Sequence, residues 1–236
     1  MTSTQPERSP AFDEAAEMYA YYDAQAETYE DFYFGKGQAV AALAPEYDVD
    51  RKGIGALLAA FGQGDVIDLA CGTAFWLSIY GPNCRTVTLV DQSAVSLARC
   101  EQRVRALGLE PAAKIVRGDL FEVPMPTRTY DAAFIGFLLS HLTDAGVVTV
   151  FDRLRLCLRA GAELAIVDSA WSEARRPYRA KDGFERRHLP DGRAFTIRKK
   201  YFDLPELEEL LLGNGFRLQS SYVGKVFLGV VAKHAV

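Results

Sequence analysis

The 236-residue sequence predicts an α/β protein with a doubly wound, mainly parallel β-sheet. Short apolar runs alternate along the chain with segments whose apolar residues recur at helical spacing. Strands of a parallel sheet are covered by helices on both faces, so they are apolar along their whole length. Because the crossovers between parallel strands are right-handed, this alternation is typical of a doubly wound sheet.

The individual strands and helices follow from apolar spacing and from capping residues. Apolar runs predict strands at 66–69, 87–91, 114–116, 130–137, 163–168, 217–223 and 226–233. Apolar faces of helical period predict helices at 11–34, 49–61, 93–107, 144–160 and 203–212. Thr143 is an expected N-cap, and Asp203 forms a capping box with Glu206. Gly161 is expected at the C′ position, where a left-handed φ ends a helix.

The first predicted helix is rich in tyrosine. Tyr22, Ala26, Tyr29 and Tyr33 fall three and four residues apart, so a continuous helix would place them on one face. One interpretation is that this face forms a lid over a ligand. The other is that the tyrosines pack in the core.

Charge is distributed unevenly along the chain. The formal net charge is −4, which provides no overall positive field for a nucleic acid. Residues 171–200 nevertheless contain ten Lys or Arg against four Asp or Glu. The PDGR sequence at 190–193 predicts a hairpin there, hence a basic hairpin insertion at about 171–202. This segment is either a solvated face or an anion-binding surface.

Several classes of protein are not indicated by the sequence. The cysteines, Cys71, Cys84, Cys100 and Cys157, are widely spaced, and with three histidines no metal-ligand spacing emerges, so no metal is expected. The first ten residues lack the apolar stretch of a signal peptide, and no apolar run approaches membrane-spanning length. We therefore expect a cytoplasmic monomer or homodimer with no membrane partner.

The stretch VIDLACGTAFW, residues 66–76, is the first candidate binding loop. In a doubly wound sheet the ligand crevice lies beyond the carboxyl ends of the strands. A dinucleotide site requires G-x-G-x-x-G, whereas this loop has Gly72 as its one glycine. The preceding Asp68 is unfavourable beside a pyrophosphate and favourable beside an ammonium group.

Two further acids follow the next strands. Asp91 ends the strand in VTLVDQS, where a carboxylate can accept both hydroxyls of a ribose. Asp119, in RGDL, follows the third strand and could accept a hydrogen bond from the amine of an adenine. The three acids together predict a ligand with an amino acid end, a ribose and an adenine, and S-adenosylmethionine meets this description.

These motifs carry a family resemblance. DLACGT, LVDQS, RGDL and YDAAFIGFLLSHL resemble motifs I to IV of the class I S-adenosylmethionine-dependent methyltransferases, and the resemblance runs from about residue 21 to the end. YYDAQAETY, the LSH turn and DGRAFTIRK resemble segments of small stand-alone bacterial enzymes that methylate small molecules. The resemblance implies a seven-stranded sheet of order 3-2-1-4-5-7-6 with the last strand antiparallel. It also implies S-adenosylmethionine as cofactor and S-adenosylhomocysteine as product.

The predicted domain organisation is a disordered lead at 1–10, a helical lid at 11–61 and a cofactor-binding domain at 62–236. The expected cofactor-binding residues lie on the lid and after the first four strands: Tyr22, Tyr29, Asp68, Ala70, Cys71, Gly72, Thr73, Trp76, Asp91, Gln92, Ser93, Gly118, Asp119, Leu120 and Phe137. Ala74 replaces a glycine common in the family. Because alanine resists positive φ, we expect an ordinary helical turn there, with Phe75 and Trp76 beginning the next helix.

The expected catalytic residues are His141 and Tyr33. His141 follows the fourth strand, and its imidazole, neutral at pH 7, could orient an acceptor or take its proton. The alternative for His141 is a structural bond to a backbone carbonyl. Tyr33 is expected near the acceptor.

The expected function is methyl transfer to a small aromatic or apolar organic acceptor, as in secondary metabolism, with no nucleic-acid partner. One alternative is a protein or RNA methyltransferase that docks its substrate through residues 171–200. The other is a module that binds S-adenosylmethionine without catalysis.

Overall fold

The computed structural model describes residues 13–235 and contains one large sheet and one hairpin. The strands are β1 Gly64–Leu69, β2 Cys84–Asp91, β3 Ala113–Arg117, β4 Tyr130–Gly136, β5 Leu158–Ser169, β6 Asp182–His188, β7 Ala194–Lys200, β8 Phe216–Val223 and β9 Phe227–His234. The large sheet has the order β3-β2-β1-β4-β5-β9-β8. Strands β1 to β5 are parallel, and β9 is antiparallel to both of its neighbours. Numbered within this sheet alone, the order is 3-2-1-4-5-7-6, so the predicted fold is confirmed.

Helices cover both faces of the large sheet. They are α1 Glu14–Gln25, α2 Ala44–Leu58, α3 Leu77–Tyr80, α4 Ala94–Ala106, α5 Asp144–Cys157 and α6 Leu204–Gly213. The alternation along β4 divides the core, since Phe134 packs with α2, α3 and α4 while Ile135 packs with α5 and α6. Burial on both faces explains why the strands are apolar without interruption.

The predicted helix at 11–34 is wrong as one element. Helix α1 ends at Gln25, and Tyr29–Phe34 form a separate 3₁₀ helix. After α1 the hydrogen bonds tighten to i−3, as in the bond from the Thr28 amide to the Gln25 carbonyl at 2.9 Å. The tyrosines therefore come together across two helices, and the predicted lead at 1–10 lies outside the described residues.

Two other helix boundaries differ from the prediction. Helix α2 begins at Ala44, with a proline in its first turn, instead of at residue 49. Helix α5 is capped by Thr143 as predicted but ends at Cys157, and Gly161 lies inside β5. Leu158 pairs with Tyr130 of β4, so the residues after Cys157 join the sheet. The helix therefore cannot continue to a glycine cap. The Asp203 capping box is confirmed.

The basic segment contains the predicted hairpin, formed by β6 and β7. Helix α1 packs on it through Tyr21, which contacts Leu189 and Ile197. Strand alternation gives the hairpin an inner face, consisting of Glu185, Arg187, Ile197 and Lys199. Arg187 and Lys199 are only 8% and 5% exposed, so a solvated face accounts for only part of this segment.

Candidate active site

A large cavity of about 240 Å³ opens at the carboxyl ends of β1 to β4, where a doubly wound sheet holds its ligands. The predicted cofactor residues in its wall are Tyr22, Tyr29, Ala70, Cys71, Gly72, Thr73, Asp91, Gln92, Ser93, Gly118, Asp119, Leu120 and Phe137. The lining also includes residues that were not among the predicted cofactor-binding residues: Ala15, Met18, Tyr19, Val90, Ser96, Phe121, Gly136, Leu138 and Leu142. The helical spacing of Ala15, Met18, Tyr19 and Tyr22 could have identified the α1 face.

The loop after β1 has an unusual backbone. Ala70 and Ala74 adopt positive φ values of 55° and 54°, and Gly72 has a φ of 54°. The ordinary helical φ expected at Ala74 is therefore wrong, and α3 begins only at Leu77. A left-handed alanine costs about 1–2 kcal/mol, and here the turn is held by hydrogen bonds from the Ala74 amide to Cys71 and from the Leu77 amide to Ala74.

Asp91 joins the two loops that follow β1 and β2. Its carboxylate accepts a hydrogen bond from the Gly72 amide at 2.8 Å and another from the Ser93 amide at 2.8 Å. Burial raises the pKa of Asp91 above its ordinary value. Because carboxylate oxygens have about four acceptor sites in total, Asp91 can accept further hydrogen bonds from a ligand.

Asp119 also lines the large cavity and is exposed. Its side chain accepts a hydrogen bond from the Phe121 amide at 2.8 Å, which closes the turn after β3. The second carboxylate oxygen has no such constraint from this turn. Asp119 therefore has both the structural role of a turn residue and an acceptor available to a ligand.

Two predicted cofactor residues, Asp68 and Trp76, lie outside the cavity lining. Asp68 is buried and accepts a hydrogen bond from the Tyr80 hydroxyl at 2.5 Å. Burial raises the pKa of Asp68 to about 8, and its other oxygen, Oδ1, has no partner within the described chain. Trp76 is also buried and packs edge-on against Tyr33. Tertiary packing of the first loop thus places both side chains behind the cavity wall.

A smaller cavity of about 40 Å³ adjoins the large one. Both cavities are lined by Tyr22, Tyr29, Phe137 and His141, which we call the shared wall. The rest of the smaller cavity is aromatic on one side, with Phe32 and Tyr47. Its basic residues are Arg175, Arg179, Arg187 and Lys199. A ligand in each cavity would therefore meet at the shared wall.

His141 is held at both ring nitrogens. Its Nδ1 lies 2.7 Å from the Arg198 carbonyl oxygen and its Nε2 lies 2.5 Å from the Tyr22 hydroxyl. A carbonyl can only accept, so Nδ1 carries the proton and Nε2 accepts from Tyr22. Burial, with a contribution from Lys199, lowers the pKa of His141 well below 6.5. The imidazole is thus a neutral acceptor, and the carbonyl bond expected of a structural histidine orients it.

The groups around His141 are buried as well. Burial raises the pKa of Tyr22 well above 10, so its phenol is neutral at pH 7. Burial lowers the pKa of Lys199 to about 8, which leaves its ammonium charged at pH 7. The Lys199 ammonium donates to the Ser140 hydroxyl at 2.7 Å and lies 3.5 Å from His141 Nε2. One cation therefore stands directly beside the shared wall.

Tyr33 occupies the wall of the large cavity. Its ring stacks on Phe75, with 3.9 Å between centroids and 8° between planes. Tyr33 is missing from the lining of the smaller cavity, so its expected position beside an acceptor remains a prediction.

The described residues, 13–235, contain neither a cluster of metal ligands nor a helix suited to crossing a membrane. No group of three or more His, Cys, Asp or Glu side chains among them could hold a metal ion. No helix in this range combines the length and apolarity that crossing a membrane requires.

The sequence of these loops is similar to known proteins. A family model described as a methyltransferase domain matches residues 66–161. Phosphatidylethanolamine N-methyltransferase of Cereibacter sphaeroides is 31% identical over 138 residues, which cover 58% of this chain and 62% of that protein. 2-Phytyl-1,4-naphtoquinone methyltransferase of Synechococcus elongatus is 33% identical over 106 residues, 44% of this chain and 45% of that protein. The matches thus span about half to just under two thirds of these relatives.

Solved structures match over nearly the whole chain. A DhpI–SAM–HEP complex is 26% identical with a TM-score of 0.74, and the match covers 95% of this chain and 99% of that one. The 1,6-didemethyltoxoflavin-N1-methyltransferase of Burkholderia thailandensis, 18% identical with a TM-score of 0.63 over 98% of this chain and 94% of that one, shows the likeness of fold alone. With residues 66–161 matched to a methyltransferase domain and with this sheet order, the chain carries a methyltransferase domain and resembles the class I S-adenosylmethionine-dependent methyltransferases.

Proposed function

We propose that the protein transfers a methyl group from S-adenosylmethionine to a small organic acceptor with an aromatic or apolar body. The observation that carries this proposal is the pair of cavities with one shared wall. The large cavity is lined by loops within residues 66–161, which match the methyltransferase model, and by residues 15–33 of the N-terminal helices. The smaller one offers the aromatic side chains of Phe32 and Tyr47 to an acceptor.

The residues of the large cavity fit this cofactor. Asp91 can accept the ribose hydroxyls, and Asp119 can accept the adenine amine. Two buried oxygens near the first loop, Asp68 Oδ1 and Thr73 Oγ1, have no hydrogen-bond partner within the described residues. Asp68 lies behind the cavity wall, whereas Thr73 lines the cavity. Because buried polar atoms are nearly always paired in native proteins, Thr73 Oγ1 supports a ligand with a hydrogen-bonding group at this loop.

S-adenosylmethionine, held by the loops around Gly72, Asp91 and Asp119, would supply a sulfonium-bound methyl group to the lone pair of the acceptor and would leave as S-adenosylhomocysteine. The chain's own contribution is to orient the acceptor and to exclude water. Where the reacting atom carries a proton, the Tyr22 hydroxyl can take it while passing its own proton to His141 Nε2, 2.5 Å away.

A small acceptor is supported over a macromolecule by the position of the basic residues. Arg175, Arg187 and Lys199 are buried inside the protein and are not available to a protein or RNA surface. The Synechococcus and Burkholderia proteins are also named for small-molecule acceptors. The experiment below distinguishes methyl transfer from the remaining alternative, which is cofactor binding without transfer.

The test is calorimetry of the full chain with S-adenosylmethionine and S-adenosylhomocysteine, followed by transfer from methyl-labelled cofactor to a panel of small phenols, quinones and carboxylic acids. Binding of both cofactors together with label in a small acceptor supports the proposal. Binding without transfer supports the non-catalytic alternative. Label appearing only in added RNA or protein contradicts the small acceptor, and absence of cofactor binding contradicts the proposal as a whole.

Replacing Tyr22 with phenylalanine tests the role of the hydroxyl. For an acceptor whose reacting atom carries a proton, we expect kcat to fall by roughly 10²-fold or more, the effect of losing a proton-transfer group, with the cofactor Kd unchanged. Steady-state kinetics with calorimetry would measure both quantities. Tyr178→Phe, at an exposed position, is the matched control. If the Tyr22→Phe enzyme keeps the wild-type kcat, the Tyr22 hydroxyl takes no part in the reaction and the side chain only packs.

A further inference from the structure

We propose that the smaller cavity binds a small oxyanion, a carboxylate or a phosphate-like group that forms part of the methyl acceptor. This inference rests on the proposed function, because it names a chemical class for the acceptor of that same site. The proposal also assigns a ligand to the buried basic residues of the segment 171–200.

The first observation is the unbalanced charge of the cavity. Its basic residues are Arg175, Arg179, Arg187 and Lys199, and its lining contains no Asp or Glu. Within residues 13–235 only two carboxylates pair with these four cations: Glu185 with Arg187 at 2.6 Å and with Arg179 at 3.6 Å, and Asp168 with Lys199 at 3.7 Å. Four cations against two carboxylates leave two positive charges unbalanced, and Arg175 has no carboxylate partner within the described residues.

The burial of these cations makes the imbalance costly. Arg175 is 2% exposed and has no carboxylate within ion-pair distance in the described residues, while Arg187 and Lys199 are 8% and 5% exposed. Removing a charge from water without a counter-charge is strongly unfavourable. An anionic ligand would restore the balance.

The second observation is a set of buried polar atoms that have no hydrogen-bond partner among residues 13–235. Four such atoms belong to residues that line this one cavity: Arg175 Nε, Arg187 Nε, Tyr47 Oη and Ser169 Oγ. The two arginine nitrogens can only donate, and the two hydroxyls can donate. Donors collected around one cavity are complementary to a group with several acceptor oxygens.

The Arg175 guanidinium is held in place before any ligand binds. Its Nη2 donates to the Val226 carbonyl at 2.7 Å, and its guanidinium carbon lies 4.5 Å from the centre of the Tyr201 ring. A guanidinium has five N–H donors in a fixed plane, so these contacts leave donors free for two-point binding of an oxyanion.

The third observation is the size of the cavity. A cavity needs about 10–15 Å³ to hold one water molecule, so about 40 Å³ accommodates only a few heavy atoms. A carboxylate or phosphate-like group is of this size. Anchored by the cations, it would leave the rest of the acceptor near the shared wall, where Tyr22 and His141 lie.

The experiment is calorimetry on the full chain saturated with S-adenosylhomocysteine, with inorganic phosphate, methylphosphonate, propionate and propionamide as probes. Propionamide has the shape of propionate without its charge. We expect at least one oxyanion to bind with at least tenfold higher affinity than propionamide. The ranking of phosphate and methylphosphonate against propionate distinguishes the two kinds of oxyanion. Failure of every oxyanion to exceed propionamide would overturn the proposal.

Variants then locate the binding site. Arg175→Met and Arg187→Met should each weaken oxyanion binding about tenfold or more. Arg186→Met is the matched control, because Arg186 precedes Arg187 on the same strand but is exposed, and its oxyanion Kd should stay within twofold. Circular dichroism checks folding, and if Arg175→Met does not fold, Arg187→Met decides. Equal loss in the Arg186 and Arg187 variants would place binding on the outer surface and overturn the proposal.

The outcome also separates this inference from the proposed function. Cofactor binding and methyl transfer to neutral acceptors, without oxyanion binding, would remove the inference and leave the methyltransferase intact. The opposite outcome is a chain that does not bind S-adenosylhomocysteine but binds an oxyanion when that cofactor is left out. It would remove the methyltransferase proposal and leave the oxyanion site.

Discussion

Replacing His141 with alanine is expected to lower kcat by roughly 10²- to 10⁴-fold for an acceptor whose reacting atom carries a proton, the usual effect of losing a general base. The neutral imidazole accepts the Tyr22 hydroxyl at Nε2 and is oriented through Nδ1. Removing it leaves the phenol with no base to receive its proton. The cofactor Kd should stay nearly unchanged, because Asp91, and not His141, is the proposed acceptor for the cofactor's ribose hydroxyls.

The pH profile provides a second measure of the same role. The base form of His141 is the active one, and burial lowers its pKa well below 6.5. The wild-type kcat should therefore be flat through neutral pH and fall only well below pH 6.5, where Nε2 becomes protonated. The acid limb that belongs to His141 should disappear in the alanine variant.

The matched control is His188→Ala, at an exposed position on β6. Its kcat and pH profile should equal those of the wild type. A His141→Ala enzyme that retains the wild-type kcat and acid limb would leave His141 a structural residue, held by its bond to the Arg198 carbonyl.

Replacing Asp91 with alanine is expected to weaken S-adenosylmethionine binding by about 1.5–3 kcal/mol, or about 10- to 150-fold in Kd. The carboxylate is the proposed acceptor for the ribose hydroxyls. It also holds the Gly72 and Ser93 amides, so its loss loosens both cofactor loops. Calorimetry with S-adenosylmethionine and S-adenosylhomocysteine measures the effect.

Asp152→Ala, at a partly exposed aspartate on α5, is the control and should bind the cofactor normally. Because burial raises the pKa of Asp91, wild-type affinity should also fall on acidification sooner than for an ordinary aspartate, as the protonated carboxyl loses acceptor capacity. An Asp91→Ala chain with unchanged Kd would remove Asp91 from the ribose site.

The sequence by itself determined the sheet and most of the large cavity. Both depend on local signals: apolar runs form the strands, and parallel topology brings their carboxyl ends to one edge. Gly72, Asp91 and Asp119 therefore lie around one cavity although they follow three different strands. Which side chains lie behind the wall depends on packing, and packing sets Asp68 and Trp76 outside the cavity lining, so their part in cofactor binding stays a prediction.

Tertiary contacts decided the remaining features. Pairing with Tyr130 ended α5 before Gly161, and the turn around Ala74 imposed a φ that alanine disfavours. Arg186 and Arg187 are adjacent and chemically identical, yet only the second faces the smaller cavity, because strand alternation separates the two faces without indicating which one will be covered.

His141, the candidate catalytic residue, also has some properties that follow from the sequence and others that depend on the tertiary structure. The sequence placed His141 at a strand end. Its Nε2 is an acceptor because Nδ1 donates to the Arg198 carbonyl, 57 positions away in the chain, and its pKa is lowered by burial and by Lys199. Hydrogen bonding and desolvation are properties of a folded environment, and segments distant in sequence supply them. The sequence thus determined which residues reach the site, and the tertiary structure decided their protonation states and partners.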